Sequence, residues 1–264
     1  MNRLFLAILL VVSSWQSLSA QSYRKIPNNY FNRGEKLNFK VAYHSLLTGN
    51  LTAGSATLEL THENKQIGGR DTYHAIGYGK TTGLIEMFYH IEERFESFFD
   101  EEALIPWYFS RNTIENKYQK NDMVTFRHKE KLAVSPKKTT TIPEYVQDII
   151  SAFYYARCLD LTSAKPGRDF PVPFFLDDSV YHSKVRYMGK ETVKIKLGKF
   201  DCLKIKPMVA TGYVFDDPYP VSVWVTDDQN RIPVLIECEL SVGSARAELV
   251  SFSGLANPLM FQPK

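Results

Sequence analysis

Apolar and polar side chains alternate along most of the chain, and this period of two constrains the fold more than any other feature. In 35-EKLNFKVAYHSL-46, one face carries Leu37, Phe39, Val41 and Tyr43. Successive side chains of a β-strand point to opposite faces, so the pattern predicts a strand with one buried face. The turn-forming residues Thr48-Gly49-Asn50 then separate this strand from the next apolar segment.

The same alternation recurs in both halves of the chain and predicts antiparallel strands throughout. In the first half the predicted strands are 53–63, 71–81, 87–100, 104–115 and 118–129. In the second half they are 169–176, 180–189, 191–198, 200–209, 221–227, 231–240 and 244–254. Aromatic residues make up 13% of the chain, with 15 Tyr and 17 Phe, and such residues favour strands. The sequence therefore predicts a mainly β protein that begins as a meander.

One segment between these strands has helical spacing instead. Thr141 and Glu144 are three residues apart, as in a capping box, where each side chain bonds the backbone of the other. The apolar residues that follow at helical intervals are Val146, Ile149, Ile150, Phe153 and Ala156. This pattern predicts one long helix over 144–159 that packs against the sheet.

The first twenty residues, MNRLFLAILLVVSSWQSLSA, have the order of a secretory signal peptide. A positive charge at Arg3 precedes an apolar run over residues 4–12, and small residues follow at 17–20. We expect residues 1–20 to be removed and residues 21–264 to form a single mainly β domain without a transmembrane segment. No cysteine directly follows the apolar run, where a lipid would be attached. We therefore expect an exported protein, in the periplasm and without a lipid anchor.

Charge and cysteine content exclude some classes of function. The formal net charge is only +3, with 23% charged residues, so there is no basic footprint for nucleic acid. Cys158, Cys202 and Cys238 are too few for a disulfide framework. A bridge between Cys202 and Cys238 and three buried free thiols both remain open. The predicted last helical turn contains Cys158, where the helix dipole raises a thiol pKa.

Three pairs of aspartates raise the question of catalysis. Asp177-Asp178, Asp216-Asp217 and Asp227-Asp228 each lie between apolar runs. Paired carboxylates suit a metal site or acid–base catalysis, but Asp also suits a tight turn because its side chain bonds nearby backbone. Their position at strand junctions predicts turns.

The sequence also lacks the common motifs of metal sites, serine nucleophiles and phosphate-binding loops. The six histidines have no metal-ligand spacing, and there is neither a Gly-x-Ser-x-Gly elbow nor a phosphate-binding loop. We therefore expect no metal, no cofactor and no catalytic residues of a standard type. Carboxylates on facing strands could still form a glycosidase pair, which a sequence alone does not reveal.

Several blocks, in order, resemble a known bacterial family. They are 34-GEKLNFKVAYHSLLTGNLTAGSATLEL-60, 86-EMFYHIEERFESFFD-100, 148-DIISAFYYARCLDL-161, 198-GKFDCLKIKP-207, 224-WVTDDQNRIPVLIE-237 and Val242-Gly243-Ser244. Together they resemble the exported-protein family catalogued as domain of unknown function 3108. The resemblance implies a large curved antiparallel sheet, similar to the half-barrels of periplasmic lipoprotein carriers, and it supplies no catalytic residues.

A curved sheet that curls around a helix predicts an apolar binding site, although the same apolar stripe is what an ordinary core requires. The residues that we expect to line it are Phe39, Val41, Tyr43, Tyr89, Phe95, Trp107, Phe109 and Phe153. The function that follows is a non-catalytic binder or carrier of a lipid or another apolar small molecule. The alternatives are a hydrolase of envelope polysaccharide or lipid and a structural partner that uses a sheet edge.

Overall fold

The computed structural model describes residues 23–45, 49–209, 217–240 and 242–263, so the predicted signal peptide lies outside the described residues. The helices are α1 Leu84–Phe88 and α2 Ile149–Arg157. The strands are β1 Lys36–Ser45, β2 Gly49–Leu60, β3 Lys65–Ile67, β4 Arg70–Thr81, β5 Ile91–Asp100, β6 Pro106–Glu115, β7 Tyr118–Arg127, β8 Leu132–Val134, β9 Thr139–Thr141, β10 Asp169–Pro171, β11 Phe174–Leu176, β12 Ser179–Tyr181, β13 Lys184–Lys194, β14 Gly198–Pro207, β15 Val221–Thr226, β16 Pro233–Glu239, β17 Ser244–Ser253 and β18 Gln262–Pro263.

Most of these strands form one antiparallel sheet. Its order is β10-β13-β14-β15-β16-β17-β1-β2-β4-β5-β6-β7-β8-β9, while β3 pairs with β4 and β18 with β14. The edge strands β10 and β9 do not pair with each other, so the sheet is not closed into a barrel. The predicted fold class, a mainly β protein with a large antiparallel sheet, is confirmed, and so is the meander from β4 to β7.

The predicted strand at 87–100 begins too early. Residues Leu84–Phe88 form α1, and β5 starts at Ile91. Its neighbour β4 ends at Thr81, and Lys80 pairs with Glu92. Residues before Ile91 therefore have no strand beside them on the β4 side, and local alternation alone does not make a strand.

The predicted strand at 169–176 is broken in two. Proline, which has no backbone N–H to donate, occurs at Pro171 and Pro173 and interrupts the ladder. The second piece, β11, pairs with β12 as a separate two-stranded sheet. Asp177 and Asp178 connect β11 to β12 with φ angles of 49° and 57°, which Asp tolerates in a tight hairpin turn.

The single long helix over 144–159 is not confirmed, because α2 has only nine residues. Its N-cap is Asp148, whose carboxylate accepts hydrogen bonds from the backbone N–H groups of Ile150 and Ser151 at 2.8 and 2.6 Å. The predicted cap at Thr141 is wrong. Thr141 ends β9, and Gln147 is held in an extended bridge to Phe174.

The inner face of the sheet, defined as the one that carries Gly77, Phe95 and Ser97, packs against α2. Gly77 and Phe95 are paired in register, and a Cβ at Gly77 would lie 2.9 Å from Ile150 Cδ1. Glycine at this position therefore lets the helix approach the backbone of β4. Ser97 donates to the Asp148 carboxylate at 2.5 Å, which fixes the start of the helix to β5.

A buried ion pair fixes the other end of α2. Arg157 donates to both carboxylate oxygens of Glu35, at 2.5 and 2.8 Å, and the two side chains are 1% and 0% exposed. Arg157 also donates to the carbonyls of Tyr30 and Asn230, while Arg231 donates to the carbonyl of Arg157 at 2.9 Å. These bonds join the helix to the segment before β1 and to the β15–β16 turn.

Candidate ligand-binding cavity

A cavity of about 670 Å³ lies between α2, the strands β13 to β15 and the hairpin β11–β12. The helix contributes a stripe of four side chains, namely Ile149, Ala152, Phe153 and Ala156. Their spacing of three and four residues places them on one face of a helix. The two alanines are short, and their size leaves open space beneath the helix.

The sheet supplies aliphatic side chains to the opposite wall. Ile205 on β14 is paired with Tyr187 on β13 and with Val223 on β15, and every second residue of a strand faces the same side. The lining residues from these strands are Val185, Ile205, Val223 and Val225. Pro207 at the end of β14 also lines the cavity, and Met208 and Val209 extend the apolar wall beyond this strand.

The hairpin β11–β12 forms the third wall. Phe174, Leu176 and Tyr181 line the cavity, and the rings of Phe174 and Tyr181 stack with centroids 5.0 Å apart. Phe175 points away from these residues into a cluster with Phe126, where it is 1% exposed. The hairpin is therefore packed against the sheet on one face and lines the cavity with the other.

A second, polar cavity of about 190 Å³ shares Leu176 and Asp177 with the apolar one. Arg111 on β6 donates to Asp122 on β7 at 2.5 Å and also to Asp177 at the hairpin turn. Lys120 contacts the same two carboxylates, at 3.2 Å for Asp122 and 2.5 Å for Asp177. The polar cavity thus contains two cations that both contact the same two carboxylates.

Both carboxylates are ionised at neutral pH. Burial by itself raises the pKa of Asp122, but hydrogen bonds from Arg111 and Lys120 outweigh it, and the pKa is lowered. The pKa of Asp177 is lowered in the same way, with burial opposed by Lys120 and Arg111. A general acid needs a raised pKa, so neither group is suited to that role.

The other aspartate pairs act largely as predicted. Asp228 accepts hydrogen bonds from the backbone N–H of Asn230 and of Arg231, at 2.8 and 3.1 Å, which confirms the turn reading for this pair. Asp217 accepts from the N–H of Tyr219, while Asp216 lies outside the described residues. Within the described ranges no group of three or more His, Cys, Asp and Glu side chains is placed to hold a metal ion.

The three cysteines are free thiols. Burial raises the pKa of Cys158 and of Cys202 to about 12, and burial also raises the pKa of Cys238. For Cys158 the direction agrees with the prediction, but desolvation is the largest cause, opposed by the nearby charges of Arg157 and Arg231. A reactive thiolate therefore has no support at any of the three positions.

The structure brings only one of the eight predicted lining residues into the apolar cavity, and that residue is Phe153. Phe109 lines the polar cavity, and Phe95 packs between the clusters around Tyr154 and Phe126. Phe39 lies in a separate core cluster with Trp224.

The remaining predicted residues lie elsewhere. On β1, Val41 is half-buried and Tyr43 donates to the carbonyl of Val242 at 2.8 Å. Tyr89 follows α1 and is 45% exposed. Trp107 donates to the Asp100 carboxylate at 3.2 Å. Sequence reasoning favoured aromatic residues, whereas the cavity is lined mostly by Val, Ile, Ala and Leu.

No helix in the described part of the chain has the length and apolar character needed to cross a membrane. No match was found among curated proteins. A beta-barrel-like protein of the domain of unknown function DUF1849 from Brucella abortus is similar in structure, with a TM-score of 0.55 at 13% identity. The alignment covers 88% of this chain and 99% of that one. Because the identity is so low, the similarity is one of fold alone.

Two further solved structures are only weakly similar to this chain. One is a Bacteroides fragilis protein described as exported, with a YmcC-like fold, at a TM-score of 0.36 and 12% identity over 88% of this chain and 100% of that one. The other is a Parabacteroides distasonis protein described as a lipoprotein. Its TM-score is 0.38 at 10% identity, over 88% of this chain and 100% of that one.

The sequence model of a family described as protein of unknown function (DUF3108) matches residues 38–250. This range contains α2, the hairpin and the strands that line both cavities. The chain therefore belongs to the DUF3108 family.

Proposed function

We propose that the protein binds a lipid or another apolar small molecule in the cavity between α2 and strands β13 to β15, without catalysis. The size and the apolar lining of this cavity support the proposal. Its volume of about 670 Å³ lies within the range of about 300–1,000 Å³ that is usual for small-molecule sites. Mostly apolar side chains, both aliphatic and aromatic, form its three walls, so an apolar ligand gains free energy by leaving water.

Two of the polar groups at the cavity, Arg157 and Ser183, have partners within the protein. Arg157 is paired with Glu35, and Ser183 donates to the carbonyl of Met208 at 2.5 Å. A polar ligand in the apolar part would lose hydrogen bonds to water and find few replacements. This difference favours a ligand with a long apolar portion.

Hydrolysis has less support than binding. A hydrolase that uses two carboxylates needs one with a raised pKa to act as general acid. The paired carboxylates of the polar cavity, Asp122 and Asp177, both have lowered pKa values. A role as a structural partner through strand addition is also less favoured, because the edge strands β9 and β10 have only three residues each.

We further propose that the chain is exported to the periplasm, carries no lipid anchor and acts as a single domain over residues 21–264. The apolar run over residues 4–12, with Arg3 before it and small residues after it, supports export. N-terminal sequencing of the protein from its own cells tests this, and recovery of Met1 would refute it.

A cavity-filling substitution tests the binding proposal. Ala156→Trp places a large ring in the space beneath α2, where Ala156 lines the cavity. We expect a fluorescent fatty-acid probe to bind the wild-type protein and to bind this variant at least about tenfold more weakly, since tenfold corresponds to only about 1.4 kcal/mol. Val250→Trp is the matched control, because Val250 lies on β17 and is 36% exposed.

The control variant should bind the probe like the wild type. Equal binding by all three proteins would show that the probe does not occupy this cavity. Absence of binding to the wild type would refute the proposed function.

A further inference from the structure

A polar cavity lies beside the apolar one, and the binding of an apolar tail alone does not account for its charged residues. We propose that the natural ligand is an amphiphile with an acidic headgroup, a carboxylate or a phosphate, which Arg111 and Lys120 hold while its tail fills the apolar cavity. This inference rests on the proposed function, and it names the class of ligand and the residues that select it.

The polar cavity adjoins the apolar one. The two cavities share Leu176 and Asp177, so the polar cavity begins where the apolar wall of the hairpin ends. A single molecule with a long apolar tail can therefore reach Arg111 with its head. Arg111 is 12% exposed and Lys120 is 25% exposed, so both cations lie in the wall and not on an open surface.

The ion pairs of the polar cavity contain more cations than carboxylates. Three cations, Arg111, Lys120 and Lys137, share the two carboxylates of Asp122 and Asp177 within ion-pair distance. This network retains one positive charge. Asp178 also lines the cavity, but among the described residues its side chain forms no ion pair with these cations. An acidic headgroup supplies the charge that completes the network.

Arg111 and Lys120 have more N–H donors than their ion pairs use. The hydrogen bonds of Arg111 to described residues use Nε and Nη2 only, and the two N–H groups of Nη1 have no acceptor among these residues. A guanidinium presents its N–H groups in a planar fork that matches carboxylate and phosphate oxygens. The ammonium group of Lys120 has three N–H donors and contacts two carboxylates, so it can donate to one further acceptor.

The two carboxylates differ in how firmly they are held. Asp122 is paired directly with Arg111 in the β6–β7 register and is 20% exposed. Asp177 lies on the hairpin turn and is 45% exposed. An entering headgroup therefore competes with Asp177 and not with Asp122. In this account Asp177 holds the hairpin against β6 and β7 until the ligand takes its place.

The test compares two probes that share a tail, dodecanoic acid and dodecanol, by isothermal titration at pH 7.5. We expect the acid to bind about tenfold more tightly than the alcohol, although the ionised acid is the more water-soluble of the two. Arg111→Gln and Lys120→Gln should each remove most of this preference and leave the affinity for dodecanol unchanged. Asp177→Asn should strengthen the binding of the acid, because it removes the competing carboxylate.

The matched control is Arg186→Gln. Arg186 also forms an ion pair with an aspartate, Asp169, but it lines neither cavity. We expect this variant to keep the full preference for the acid. Dodecyl phosphate is a third probe and shows which acidic head is preferred.

Each outcome decides something different. If both probes bind equally, or if the preference survives in Arg111→Gln and Lys120→Gln, the headgroup assignment is overturned while the apolar cavity stands. If neither probe binds, the proposed function fails together with this inference. Unchanged binding of dodecanol in the variants shows that they are folded, so a lost preference is not a loss of structure.

Discussion

Removal of either member of the buried pair between Glu35 and Arg157 should strongly destabilise the protein. Both side chains are at most 1% exposed, so a single substitution leaves the other charge buried without a partner. The cost of such a loss is typically about 3–5 kcal/mol in unfolding free energy. We expect Glu35→Met and Arg157→Met each to fall within this range.

The double variant distinguishes a charge pair from simple packing. With both charges removed no uncompensated ion remains, so the double variant should cost at least about 2 kcal/mol less than the sum of the two singles. A residual cost remains, because the carbonyls of Tyr30 and Asn230 lose the donor that Arg157 supplies. Urea unfolding followed by tryptophan fluorescence measures all four proteins.

The neighbouring residue provides the control. Lys36 forms an ion pair with Glu59, but these side chains are 45% and 37% exposed. Lys36→Met should therefore cost less than about 1 kcal/mol, as surface pairs do. Strict additivity of Glu35→Met and Arg157→Met, or a cost for Glu35→Met similar to that of Lys36→Met, would refute the reasoning.

Three further predictions concern the helix and the thiols. Phe153→Ala should cost about 1–2 kcal/mol of unfolding free energy in urea, because one side of the ring faces the cavity. The same variant should bind the fatty-acid probe more weakly. Phe99→Ala is the comparison and should cost about 3–5 kcal/mol, because Phe99 is 0% exposed. Equal costs would place Phe153 in an ordinary core. Burial, opposed by hydrogen bonds from Ser97, Ser151 and Ile150, raises the pKa of Asp148 to about 6, above the value near 3.8 of an unperturbed carboxyl. The folded protein then binds more protons than the unfolded one between about pH 4 and 6, so stability should fall by about 1–3 kcal/mol as pH rises through this window. Asp148→Asn should lose this dependence in urea unfolding at pH 4 and 6.5, and an unchanged profile would refute the assignment. Burial raises the pKa of Cys158 and Cys202 to about 12, so a thiol reagent at pH 8 should label both only on unfolding, and rapid labelling of the folded protein would contradict this.

Local patterns predict most of the strands, because every second side chain of a half-buried strand faces the core and is therefore apolar. The alternation that marks Leu37 and Phe39 corresponds to side chains that are buried in β1. The Asp228 turn followed from local chemistry, since its hydrogen bonds reach residues only two and three positions away. These features depend on neighbours in sequence and can be found there.

The start of α2 depends on distant residues, and for that reason the prediction failed. Gln147 is extended because its backbone N–H bonds the carbonyl of Pro173, 26 positions further on, and its carbonyl accepts from Phe175. The helix can begin only after this bridge. Asp148 followed by Ser151 was a usable local signal for the cap, and the Thr141 pattern obscured it.

The cavity was beyond sequence reasoning for a related reason. Its walls come from α2, the β11–β12 hairpin and strands β13 to β15, and only the folded chain brings these together. Small residues on α2, Ala152 and Ala156, were the available sign that the helix does not fill the space beneath it. The Glu35–Arg157 pair joins residues 122 positions apart, and neither position is distinctive by itself.

Photolabelling with a fatty acid that carries a diazirine on its tail shows where an apolar chain binds the protein. After irradiation and proteolysis, mass spectrometry locates the labelled peptides. We expect labels in residues 149–161, 172–185, 203–209 and 221–225, which contain the lining of the apolar cavity, and we expect Ala156→Trp to lose them. Labelling confined to other surfaces, such as the exposed residues Leu84, Met87 and Phe88 of α1, would contradict it.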